Sequence, residues 1–252
     1  MKNNRSYSFI LALASLCFVS AKLTKTEGSD NPCLKEVKAI YDKMYTVLPK
    51  ENVVYHFKYT VISTLLAKDK AGKNIVSRSD IELFTSRGQY RFISKDIEVY
   101  QDKENKFTVL PLKKIVYWAE SDMNPDNAMR MDRTKRIQDT IFHYARVTDC
   151  QALKQDPSTK AVSVKLEPKF AEYMGIKKVI YTYNAVKHEL KRLQIEYPET
   201  KEIIALEFLF DSPDYNYTKI QFTPVIKNFI EGKNKLKENY KDFQLIDVRQ
   251  NK

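Results

Sequence analysis

Apolar positions along the chain change period several times, and each change marks an element. Leu34, Val37, Ile40, Tyr41, Met44 and Leu48 recur at spacings of three and four, which lines one face of a helix. Asn31 before it suits an N-cap, Pro32 suits the first helical position, and Pro49 ends the run. From Val53 the period drops to two. Val53, Tyr55, Phe57, Tyr59 and Val61 alternate with His56, Lys58 and Thr60, as in a strand with one wet face. The same reading predicts strands near 75–86, 89–94, 97–102, 106–110 and 113–119, with Gly72, Arg87-Gly88, Asp102-Lys103 and Pro111 as punctuation. Residues 89–118 read as an antiparallel meander.

Asn124-Pro125 repeats the helix-start pair, and 126–144 is predicted helical with Met131, Ile137, Ile141 and Tyr144 on roughly one face. Strands resume at 146–154 and 160–167, where Val162, Val164 and Leu166 alternate with Ser163 and Lys165. After an excursion from Pro168 to Gly175, strands follow at 177–186, 189–197 and 202–211. The tail is predicted to form strands at 217–223 and 243–249, separated by a Lys-rich stretch that reads as helix or loop. No repeat, low-complexity tract or linker interrupts residues 22–252, which therefore read as one domain.

Ten or more antiparallel strands with two clear helices imply a mainly β fold: one strongly curved sheet, an unclosed barrel, covered on its concave side by helix. With 16 Tyr, 13 Phe, one Trp and five Gly, bulky faces outnumber the helical surface available to bury them. Two outcomes follow from that surplus, a lined cavity or a plain packed core.

The N-terminus has the order of an export signal. Lys2 and Arg5 precede an uncharged run from Phe9 to Val19, then Ser20 and Ala21, so cleavage is expected after Ala21. The run is shorter than the roughly 20 residues that span a bilayer. Leu16 before Cys17 lacks the small side chain of a lipidation site. Residues 22–30 read as a polar leader. Cys33 and Cys150 then remain, either as two buried thiols or as a disulfide tying the first helix to mid-chain; the oxidising compartment makes the disulfide the expectation.

The formal net charge is +11, but no run of basic residues dominates, so a solvated surface is expected and nucleic acid is not. Chemistry is sparse. His56, His143 and His188 stand apart, and no HxxxH, HExxH, CxxC, GxSxG or Gly-rich phosphate loop accompanies them. Asp80 with Glu82, and Glu196 with Glu199, have ordinary surface spacing. No catalytic residue, metal or cofactor is expected, and the protein is not expected to be an enzyme.

The stretch SDIELFTSRGQYRFISKDIEVYQDKENKFTVLPLKKIVYW, and later VSVKLEPKF followed by IKKVIYTYNAVKHELKRLQIEYPETKEIIALEFLFD, resembles the LolA-like periplasmic lipoprotein carriers. The likeness lies in Leu83-Phe84 leading to Arg87, in Tyr90 with Phe92, and in Tyr100 to Tyr117 around Asp102-Lys103, over residues 34–250. It implies a half-barrel whose apolar interior takes acyl chains of a lipid or lipoprotein for transfer toward the outer membrane. It further implies a periplasmic monomer served by membrane-bound donor and acceptor proteins. On this resemblance Phe57, Tyr59, Phe84, Tyr90, Phe92, Val109 and Tyr117 line the cavity, and Arg87 latches a helical lid. The family's Arg-Pro reads Arg-Gly here, and Arg87 has the alternative of a solvated turn residue. The whole fold has a second functional reading as a non-transporting envelope interaction or lipid-sensing module with a filled core.

Overall fold

The computed structural model describes residues 31–46, 53–121, 138–232 and 234–249. The expected export signal, the polar leader, Pro49, and residues 126–137 with Met131 and Ile137 lie outside the described residues.

Helix α1 (Pro32–Thr46) starts as its cap predicts: the Asn31 side-chain oxygen accepts the Cys33 N–H at 2.9 Å. Its stripe of Leu34, Val37, Ile40 and Tyr41 is buried. The strands are β1 (Tyr55–Lys68), β2 (Asn74–Ser86), β3 (Gln89–Ser94), β4 (Glu98–Gln101), β5 (Asn105–Leu110), β6 (Ile115–Glu120), β7 (Ala145–Leu153), β8 (Asp156–Leu166), β9 (Lys178–Asn184), β10 (Glu189–Glu196), β11 (Ile203–Phe210) and β14 (Gln244–Asp247). They form one curved, unclosed sheet of 12 strands in the order β14-β6-β5-β4-β3-β2-β1-β11-β10-β9-β8-β7. The mainly β half-barrel with helices expected from the sequence is therefore present. The expected meander is present as well, as antiparallel β3 to β6. The chain enters the sheet at its middle, winds out to β6, reappears at the far edge as β7 and winds back until β11 closes on β1.

The two halves are covered on opposite faces. On the β7–β11 half, α1 and helical residues 138–144 pack onto Val162, Val164, Val179, Tyr181 and Leu193, burying Ile141 and Phe142 with them. A disulfide joins Cys33 of α1 to Cys150 of β7, with 6.5 Å between the Cα atoms. Helix α2 (Pro168–Met174) caps this end, with Gly175 at φ 62 to turn the chain.

On the β3–β6 half the C-terminal tail covers the reverse face. Val225, Phe229 of helix α3 (Ile226–Phe229) and Leu236 pack onto Phe107, Val109, Val116 and Trp118. A small ladder of β12 (Ile230–Glu231) and β13 (Lys235–Leu236) shapes the tail before β14 pairs in parallel with β6. The strand expected at 217–223 does not form. That segment crosses the sheet instead of joining it, so Tyr217 stacks near His56 and Phe84, and Phe222 lies beside Arg91. Packing against a face satisfies the same apolar positions that suggested a strand.

Candidate functional site

Residues opposite each other in a ladder share a face, so the register sorts the expected lining residues. Phe57, Leu83, Phe92, Val99, Thr108 and Tyr117 form one row across β1 to β6. Tyr59 with Ile81, and Tyr55 with Thr85 and Tyr90, flank that row on the same face. Tyr59 also lies opposite Phe210, and Val61 opposite Phe208. This is the face that α1 covers further along, over β8 to β10. Phe57, Tyr59, Leu83, Phe92, Val99 and Tyr117 are half-buried and belong to neither core. They form an apolar band. Burial pushes the Tyr59 hydroxyl up to about 12, so the band carries no charge from it at neutral pH.

Two expected members belong to the reverse face. Phe84 is opposite His56 and Arg91, and it is buried in a stack with His56 at 4.3 Å. Val109 pairs with Glu98 and Val116 and is buried under the tail. The parity of a strand explains both: Phe84 is one residue from Leu83, and Val109 one residue from Thr108. The sequence reasoning missed Leu83, Val99 and Phe210. Strict alternation from Phe57 and Phe92 would have found the first two once the register was known.

Arg87 is exposed on the β2–β3 turn, next to Gly88 at φ 76 and on the half of the sheet away from α1. Its turn abuts Lys103: a Cβ on Gly88 would meet the Lys103 Cε at 3.0 Å.

Where the end of α1 meets β1 and β11, Ile40, Met44, Phe57, Leu190, Phe210 and Tyr215 line a pocket of about 60 Å³ that continues the band. Lys43, Lys58, Lys187, His188, Glu189 and Asp211 form its rim. Tyr215 stands edge-on to Tyr55 at 5.1 Å and Phe57 at 5.9 Å, so the tail seals one end. α1 is fixed above this pocket by its other end. Tyr183 donates to Glu36 at 2.6 Å, and Lys160 reaches both Glu36 oxygens at 2.9 Å. Burial opposes ionisation of Glu36, but those hydrogen bonds outweigh it and hold the carboxyl below its usual range.

No family model matches this chain, and no curated protein does. Solved structures similar to it include an uncharacterized conserved protein from Thermus thermophilus, at 8% identity and TM-score 0.41, covering 85% of this chain and 99% of the other. A LolA superfamily protein from Nitrosomonas europaea is similar at 4% identity and TM-score 0.28, covering 73% of this chain and 94% of its own. A DUF1329 family protein from Desulfovibrio piger is similar at 8% identity and TM-score 0.31, covering 72% of this chain and 92% of its own.

Among the described residues, no group of three or more His, Cys, Asp or Glu side chains gathers as metal ligands. Among them, too, no helix is long and apolar enough to cross a membrane.

Proposed function

We propose that this chain is a periplasmic carrier, without chemistry of its own, that receives acyl chains of a lipid or lipoprotein on the band and passes them toward the outer membrane. One observation carries the reading: a row from Phe57 to Tyr117, apolar except at Thr108, stays half-buried and outside both cores among the described residues. Burying a methylene contributes roughly 0.8 kcal/mol, so a 16-carbon chain offers about 12 kcal/mol before the costs of binding. A carrier must give its cargo up. A shallow, partly open band that takes only part of that energy suits release better than a closed cavity. In this reading membrane-bound donors and acceptors load and unload a monomer.

A second reading, an envelope interaction or lipid-sensing module, is favoured by the small volume of the pocket at the end of α1, about 60 Å³. Native mass spectrometry of protein taken from the cell envelope separates the two: co-purifying lipid supports the carrier, and a lipid-free protein supports the module. A fluorescent fatty-acid displacement assay then locates the site. Phe92→Glu places a charge where the chain must lie, at a cost of several kcal/mol, on the order of an unpaired buried charge that partly reaches water. Its affinity should fall at least about 100-fold. Lys58→Ala should lower affinity little by comparison, because Lys58 reaches only the rim of the pocket and its ammonium pairs with Glu82 at 3.0 Å. Equal binding by both variants, or none by the parent, rejects the carrier.

A further inference from the structure

The hairpin of β1 and β2 runs past its neighbours. Its pairing continues to Lys68 opposite Asn74, whereas β3 leaves β2 at Ile81 and the last bond from the β11 side is that of the Leu66 N–H to the Glu202 carbonyl at 2.8 Å. The end of the hairpin therefore stands clear of the sheet as a two-stranded tongue. Its tip is held in shape. The Asp69 carboxylate accepts the N–H groups of Ala71 at 2.8 Å and Lys73 at 3.0 Å, the Asp69 N–H donates to the Lys73 carbonyl, and the Asn74 amide donates to the Leu65 carbonyl at 2.8 Å. Gly72, at φ 74, takes the left-handed position of that turn.

What this rigid tip presents is apolar and basic together. Leu66 is 41% exposed, Ile75 40% and Val76 60%. Lys68, Lys70 and Lys73 stand among them, all exposed, and the one acid between residues 66 and 76 is Asp69, engaged in the turn. Ile75 and Val76 are consecutive in a strand and point to opposite faces. A protein docking against one face of the tongue would leave the other apolar side chain in water, while immersion of the tip buries both. Leu112 and Tyr173, 62% and 59% exposed, project from the same end of the sheet, beside Lys113, Lys114 and Lys169.

We propose that this tongue docks the protein on the surface of an anionic phospholipid bilayer, Leu66, Ile75 and Val76 entering the head-group layer and Lys68, Lys70 and Lys73 facing lipid phosphates. Lysines near such a surface attract it through the negative surface potential, and apolar side chains at the interface add burial. The tongue is continuous with the strand that holds Val61, Tyr59 and Phe57, so docking would hold the band roughly 23–36 Å along β1 from the docked tip. The proposal does not require the carrier reading to hold.

Vesicle co-sedimentation of the full chain tests it, with phosphatidylglycerol mixed into phosphatidylcholine against phosphatidylcholine alone. The parent should prefer the anionic vesicles and lose that preference in high salt. Ile75→Ser with Val76→Ser should weaken binding about tenfold or more. Lys70→Glu with Lys73→Glu should weaken it by more than about fivefold per position. Val186→Ser, at an apolar residue 75% exposed on the opposite end of the sheet, should leave binding unchanged. Amide exchange at 66–76 should slow on anionic vesicles. The N-terminus is common to all variants and cancels from the comparison. Vesicle binding equal among parent and tip variants, unprotected amides at 66–76, or loss of self-association as the sole effect of the tip variants overturns the proposal. Fatty-acid displacement by the tip variants in vesicle-free solution should match the parent, which keeps this outcome separate from that of the carrier.

Discussion

Asp102 is a turn residue whose carboxylate is fully employed. One oxygen accepts the N–H groups of Glu104 and Asn105, and the other accepts the N–H of Val225 at 2.7 Å, which fixes the start of the tail to the β4–β5 turn. Asp102→Asn turns one acceptor into a donor, so either Val225 or the turn loses its partner; a destabilisation of about 1–3 kcal/mol is expected in urea unfolding. Phe229 is fully buried between Phe107 at 4.5 Å and Tyr240 at 4.8 Å. Phe229→Ala should cost about 3–5 kcal/mol by the same measurement. At this scale the sequence identified the right residue types more often than their faces. Phe57, Tyr59, Tyr90, Phe92 and Tyr117 share a face as expected, while Phe84 and Val109 are core residues under the tail. A face depends on register, and register is set by pairing partners that one strand's composition does not reveal.

Among elements, α1 was readily legible, because cap and period agreed, and it is tethered covalently as well as by hydrogen bonds. The disulfide closes a loop of 117 residues, for which chain entropy predicts about 4–5 kcal/mol. Reduction should lower the melting temperature and speed amide exchange in α1 before it does so in β5 and β6. The Glu36 cluster adds a pH-dependent tether. Since the folded carboxyl is held below its ordinary value of 4.5, folding favours the ionised form. That stabilisation is complete above about pH 4.5 and is lost as the pH falls through the lower folded value. Glu36→Gln should therefore reduce stability at neutral pH and flatten the acid limb of a stability-against-pH curve. The tail was the least legible element. Ile220 and Phe222 have the alternate spacing of a strand, but Tyr217 is out of phase with them, and the ready-made apolar face from Phe84 to Trp118 makes crossing it the better outcome.

Across the whole molecule, the strands of the large sheet and the β3–β6 meander followed from local turns, whereas the closure of β11 on β1 joins distant parts of the chain and left no local mark. Its consequence is a seam. On one side of it lies the half under α1, on the other the half under the tail, and the two share β1–β11 pairing but neither core. The single Trp, Trp118, lies entirely in the second half, its indole N–H on Asn105 at 2.8 Å and the Arg249 guanidinium over its ring. Tryptophan emission is thus an optical probe of one half only, while far-ultraviolet dichroism averages both. If the seam transmits cooperativity, the two melting curves will superimpose; if it acts as a break, emission will report a transition that dichroism resolves as one of two.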